Sequence, residues 1–119
     1  MVLVDSSVWI EHFRRGQPAL AALLNEGSVL MHPFVLGELA CGNLKKRADI
    51  LRDLEELPQA AAATHEEALD LMSERKLWGR GIGWIDAHLV ASALLSNCHL
   101  WTLDVRLARA AADAGVHRL

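Results

Sequence analysis

Positive charge is in short supply in this chain. Twelve Lys and Arg stand against fifteen Asp and Glu, for a formal net charge of −3. That balance excludes nucleic-acid binding through a broad basic surface. Any phosphate bound here needs a local device such as a metal ion. Long apolar runs are missing too. None reaches the ~20 residues that a membrane-spanning helix needs. The opening Met1-Val2-Leu3-Val4-Asp5 has neither the basic lead nor the small-residue cleavage site of a secretory signal. Cys41 and Cys98 lie far apart and show no CxxC or Cys/His zinc spacing. Both read as reduced core thiols of a cytoplasmic protein, with a disulfide as the alternative. Three prolines and eight glycines punctuate the chain without forming a linker, and no repeat or low-complexity tract occurs. Tyrosine is absent and four tryptophans are present, which points to no particular function.

What is present is apolar. The hydrophobic fraction of 52% over 119 residues excludes wholesale disorder and predicts a single domain spanning residues 1–119. Val2-Leu3-Val4 reads as a buried strand closed by a turn at Asp5-Ser6-Ser7. A helix follows from Val8 to Gly16, and a second from Gln17 to Glu26 with Pro18 in its first turn. Ser28–Met31 is a candidate strand. Phe34–Cys41 reads as a buried helix and Lys45–Leu57 as an amphipathic one stopped by Pro58. Thr64 with Glu67 forms a capping box for a helix running past Leu77. After the loop Arg80–Gly83, Trp84–Ser96 is apolar almost all round and reads as a central helix. Cys98–Trp101 is a third strand, Asp104–Ala114 a last helix, and Val116-His117 a short edge strand. Short apolar strands alternating with helices predict an α/β fold: a short, mostly parallel sheet flanked by helices on both faces. Ligands of such folds bind beyond the carboxyl ends of the strands.

Most acidic residues fit solvated helix faces, but four resist that explanation. Asp5 and Asp104 each follow a strand, and each alone reads as a helix N-cap. Together they put two carboxylates at one edge of a parallel sheet. Glu38 has Phe34, Val35, Cys41 and Gly42 as helical neighbours, and Asp86 has Ile82, Gly83, Leu89 and Val90; neither has a basic partner. A helix-dipole role is open to Asp86, near its helix start, but not to Glu38. A buried, unpaired carboxylate costs several kcal/mol or is driven neutral. Gathering Asp5, Glu38, Asp86 and Asp104 around one cleft explains all four, provided that Mg²⁺ or Mn²⁺ offsets their repulsion. Such a site suits phosphodiester hydrolysis.

The residues carrying this pattern resemble a known family. Val4-Asp5-Ser6-Ser7, Pro33-Phe34-Val35-Leu36-Gly37-Glu38-Leu39, Gly83-Trp84-Ile85-Asp86-Ala87-His88-Leu89-Val90-Ala91 and Trp101-Thr102-Leu103-Asp104 occur in order along almost the whole chain. They are similar to the PIN-domain ribonucleases and, within them, to the VapC-type toxins of toxin–antitoxin pairs. The resemblance implies that Asp5, Glu38, Asp86 and Asp104 are metal ligands, with Ser6 and Thr102 supporting them by hydrogen bonds. It implies Mg²⁺ or Mn²⁺, cleavage of single-stranded or loop RNA, a homodimer, and a VapB-type antitoxin whose C-terminal segment blocks the cleft. One departure stands out. Many relatives carry a further acid two positions after the last motif Asp, where this chain has Arg106. That puts a second tightly held ion in doubt and leaves a cation beside the cleft, to touch RNA phosphate or simply to be solvated.

Arg14, Arg15, Lys45, Lys46, Arg47 and Arg80 are further candidates for RNA contact, set against the simpler role of solubilising helix ends. His32 and His88 lie near the motifs and are left out of the site. Rival readings fit less well. A haloacid-dehalogenase-like phosphatase needs a second Asp where Ser7 stands, and a receiver-like phosphoacceptor needs paired acids on the first strand and a late Lys. A PIN-like module that only binds a partner has no use for the carboxylate cluster. A housekeeping RNA-processing nuclease remains the alternative to a toxin.

Overall fold

The computed structural model describes residues 1–117. Strand β1 (Val2–Val4) lies in the middle of a three-stranded sheet, between β2 (Val29–Leu30) and β3 (His99–Trp101), and both pairings are parallel. Val2, Leu3 and Val4 are all buried. Successive strand side chains point to opposite faces, so both faces of β1 are covered. Among the described residues seven helices do the covering: α1 (Ser6–Arg15), α2 (Pro18–Asn25), α3 (Pro33–Ala40), α4 (Arg47–Glu55), α5 (His65–Glu74), α6 (Trp84–Leu95) and α7 (Val105–Asp113). The predicted α/β class and parallel sheet are what the chain adopts.

The core joins β1 to α6 and α7 through Leu3, Leu89, Val90, Leu107 and Ala110, with Val8 and Trp9 of α1 and Leu39 of α3 completing it. Leu3 is fully buried at the centre of the sheet, paired with Leu30 on one side and Leu100 on the other. Leu3→Ala is therefore expected to cost about 2–5 kcal/mol of stability. Chemical denaturation of the two proteins would measure it.

Several boundaries differ from expectation for identifiable reasons. Helix α1 begins at Ser6, not Val8, because Asp5 already occupies the extended N-cap position. Helix α4 begins at Arg47, since Lys46 adopts a left-handed backbone (φ 52°), and α5 ends at Glu74 ahead of Lys76, also at φ 52°. The capping box forms as predicted: Glu67 N–H donates to Thr64 Oγ1 at 3.1 Å and Thr64 N–H to Glu67 Oε1 at 2.9 Å. Helix α3 is not a buried helix. Val35 and Leu39 are buried, while Phe34, Gly37 and Glu38 face outward.

Val116-His117 forms no edge strand; Val116 instead packs into the core, and the His117 carbonyl lies 3.1 Å from His99 Nδ1. An unforeseen bridge does extend the sheet edge. Met31 pairs in parallel with Gln59, its N–H donating to Pro58 O and its carbonyl accepting from Ala60 N. Both cysteines are free thiols. Cys98 is buried as expected, but Cys41 sits exposed just past the end of α3.

Candidate active site

The parallel pairing of β1 and β3 fixes the starting geometry. Asp5 N–H donates to the Trp101 carbonyl at 2.9 Å, so the chain leaves both strands at the same sheet edge, one toward α1 and the other toward Asp104 and α7. Asp5 is only 6% exposed. Its side chain makes no capping bond to α1. Instead its Oδ2 accepts from Ser7 Oγ at 2.7 Å and from Thr102 Oγ1 at 2.8 Å. Each hydroxyl has one proton, and both protons are thereby committed to Asp5. Their lone pairs accept from the next loop: Leu103 N–H reaches Ser7 Oγ at 3.0 Å, and Asp104 N–H reaches Thr102 Oγ1 at 3.0 Å. The start of α1 and the β3–α7 loop are thus laced together around one carboxylate.

Thr102 makes its hydrogen bond to Asp5. Ser6 makes its own to a different residue: its Oγ lies 3.5 Å from Asp5 Oδ1 but 3.2 Å from Glu38 Oε1, so its single proton serves Glu38 better. Ser7, which the sequence reading passed over, is the stronger partner of Asp5. The available signal was local, because a hydroxyl two residues beyond an Asp readily bonds back to it.

The other three acids arrive from separate helices. Glu38 sits in the second turn of α3, exposed on its outer side and tied to α1 through Ser6. Asp86 lies in the first turn of α6, half-buried, with Oδ2 accepting from Gly83 N–H at 3.0 Å. Asp104 is exposed and does cap its helix, accepting from Arg106 N–H at 2.9 Å. Its N-cap role and its place at the acidic edge are therefore compatible.

Charge links the four. Burial raises the Glu38 carboxyl above its ordinary range; the Ser6 hydrogen bond pulls the other way, and the charges of Asp5 and Asp86 add to the rise. Burial likewise raises Asp86, opposed by the Gly83 bond and reinforced by Asp5 and Asp104. Among the described residues no Lys or Arg forms an ion pair with any of these acids. Among the described residues no three His, Cys, Asp or Glu side chains stand close enough together to hold a metal ion between them. The donor chemistry still suits a hard cation. Mg²⁺ keeps several waters and is held through one or two carboxylates, so simultaneous direct ligation by all four is not required.

Residues 2–113 match the PIN domain family. The chain belongs to that family. It is also 47% identical over 117 residues to Ribonuclease VapC32 of Mycobacterium tuberculosis, in both strain CDC 1551 / Oshkosh and strain ATCC 25618 / H37Rv. Each match covers 98% of this chain and 94% of the relative.

The cations of this PIN domain divide into those with local work and those without. Arg15 pairs with Glu11 at 3.7 Å, Arg80 with Asp113 at 2.7 Å, and Arg47 donates twice to the Ala40 carbonyl at the end of α3. Each of these three candidate RNA contacts thus has a partner within the chain. Arg14 and Lys45 instead flank a groove of about 630 Å³ beside Glu38, whose apolar wall includes Ile10, Phe13, Leu44 and Ile50.

His32 and His88 belong to a packed row of rings, His32–Phe34–His88–Trp84–His65, with centroids 4.6–5.1 Å apart. Burial lowers the basicity of both histidines, helped by His88 for His32 and by His65 for His88. His32 Nδ1 accepts from Phe34 N–H and caps α3. Both histidines thus have packing partners, and His32 also has a capping role.

Proposed function

We propose that this PIN domain is a metal-dependent endoribonuclease that hydrolyses phosphodiester bonds in single-stranded or loop RNA and acts as the toxin of a toxin–antitoxin pair. One observation supports the chemistry: Asp5 and Asp104 follow strands that end at the same sheet edge, the charges of Asp5, Glu38, Asp86 and Asp104 act on one another, and no Lys or Arg among the described residues pairs with any of them. Such a cluster is costly unless a cation binds it. The relationship to Ribonuclease VapC32 supports the choice of RNA and of a toxin.

Asp5, Glu38, Asp86 and Asp104 would hold Mg²⁺ or Mn²⁺, one ion or two. A divalent ion in such a site polarises a phosphoryl oxygen and acidifies water. The protein's share is positioning. Ser7 and Thr102 hold Asp5 in one rotamer, Ser6 draws Glu38 toward Asp5, and the Gly83 N–H fixes Asp86. No His or Lys is needed as general base in this scheme.

A VapB-type antitoxin and a second copy of the chain are the proposed partners. The groove beside Glu38, apolar on one wall and edged by Arg14 and Lys45, suits an antitoxin segment that carries apolar and acidic side chains. Leu69 of α5 and Leu94 and Leu95 of α6 leave apolar surface available for a homodimer. No helix among the described residues is long and apolar enough to cross a membrane; the cytoplasm is the proposed compartment.

The test is cleavage of total bacterial RNA by the purified chain. Product is expected with Mg²⁺ or Mn²⁺, to be lost with EDTA and restored by excess metal. Undiminished cleavage in EDTA would overturn the metal-dependent reading. Growth arrest on expression, relieved by co-expressing the product of a short adjacent reading frame, would test the toxin role.

A further inference from the structure

Arg106 is placed against the usual preferences of a helix. It occupies the first turn of α7, two residues after the N-cap Asp104, where the helix dipole disfavours a cation. It is exposed, yet it forms no ion pair among the described residues, although it stands beside an acidic cluster. Nor does its side chain extend freely into solvent. A Cβ placed on Gly81 would fall 2.7 Å from both Arg106 Cδ and Arg106 Nη1, so the arginine lies directly on the bare Cα of that glycine. Gly81 has φ +80°, which disfavours a side chain for a second reason.

The loop around this seat is tied on both sides. One residue earlier, Arg80 reaches the far end of α7 and pairs with Asp113 at 2.7 Å. Two residues later, Gly83 donates its N–H to Asp86. The loop that carries Gly81 is therefore fastened to α7 at one end and to the Asp86 carboxylate at the other. Arg106 lies between the loop that leads into Asp86 and the helix start that carries Asp104. Its planar, always charged fork matches the oxygens of a phosphate.

We infer that Arg106 is a substrate-binding residue that holds an RNA phosphate next to the one placed at the acidic cluster, and that Gly81 is the seat that aims it. This rests on the ribonuclease reading above. It assigns Arg106 the contact with substrate and Gly81 a positioning role only.

The test uses the full chain and two readouts. Cleavage of total bacterial RNA with Mg²⁺ gives KM and kcat. Binding of a short labelled single-stranded RNA to protein carrying Asp5→Asn, which blocks turnover, gives Kd across a series of KCl concentrations. Arg106→Gln is expected to weaken binding about 10-fold, as loss of a charge-assisted hydrogen bond does. It should raise KM more than it lowers kcat. The slope of log affinity against log salt should fall by about 0.7, the value for one phosphate contact on a single strand. Arg106→Lys should recover the salt slope and only part of the affinity. Gly81→Ala should weaken binding in the parent but add nothing when Arg106→Gln is already present. Unchanged KM, Kd and salt slope in Arg106→Gln, with the parent active, would overturn this assignment alone. A parent that neither cleaves nor binds RNA with Mg²⁺ would overturn the ribonuclease reading, and this assignment with it.

Discussion

Asp5→Asn protein is expected to fold like its parent and to lose RNA cleavage by about 10²–10³-fold or more, the scale seen when one preorganised electrostatic group is removed from an active site. The substitution is close to isosteric. An Asn carbonyl can accept from Ser7 Oγ and Thr102 Oγ1 as Oδ2 does now, so the lacing between α1 and the β3–α7 loop is kept. What disappears is the charge of the most buried of the four acids. Circular dichroism should match the parent while cleavage of total RNA collapses at every Mg²⁺ concentration. Cleavage at the parental rate would remove Asp5 from the site. Ser7→Ala supplies a graded comparison. It deletes a 2.7 Å bond and the partner of the Leu103 N–H but leaves the carboxylate, so a smaller loss of kcat is expected.

Asp86→Asn is expected to give opposite signs in two measurements: little or no RNA cleavage, and a higher melting temperature in chelator at neutral pH. The sign follows from protonation linkage. Burial, with the charges of Asp5 and Asp104, raises the Asp86 carboxyl in the folded chain above its unfolded value. Ionised Asp86 therefore destabilises the fold at neutral pH. This penalty fades as pH falls through the raised folded value and is gone below the ordinary carboxylate value of about 3.9. Asn carries no such penalty and can still accept the Gly83 N–H. The advantage of the variant should be greatest at neutral pH, shrink toward acid, and shrink again when Mg²⁺ stabilises the parent. A variant no more stable than its parent in EDTA at neutral pH would show that the cluster stores no electrostatic strain. Loss of activity together with gain of stability is the signature of a functional site maintained against the preference of the fold.

The parts of the candidate site that were legible in the sequence were those with no local explanation. Glu38 and Asp86 lack basic helical neighbours, and Asp5 and Asp104 follow strands whose parallel pairing brings them to one edge. Glu38 is not the buried residue that its apolar helical neighbours suggest; it is exposed on its outer side, and its carboxyl is raised by partial burial, Asp5 and Asp86 together. Other features depend on contacts far apart in the chain. Thr102 reaches Asp5 across 97 residues, and Met31 pairs with Gln59 through a bridge that no periodicity announces. Arg47 and Arg80 looked like free cations because their partners, the Ala40 carbonyl and Asp113, are set by tertiary structure. The left-handed Lys46 and Lys76 shortened two helices at residues that give no compositional warning.

The central place of β1 has a consequence for how this molecule is made. Strand β1 and Asp5 are made well before β3 and Asp104. Thr102, which clamps Asp5, is made 97 residues after it. Until then the strand meant for the middle of the sheet has one neighbour at most, and the acidic edge is incomplete. The acidic edge is therefore a product of the completed fold, closed only when residues 97 positions apart have met.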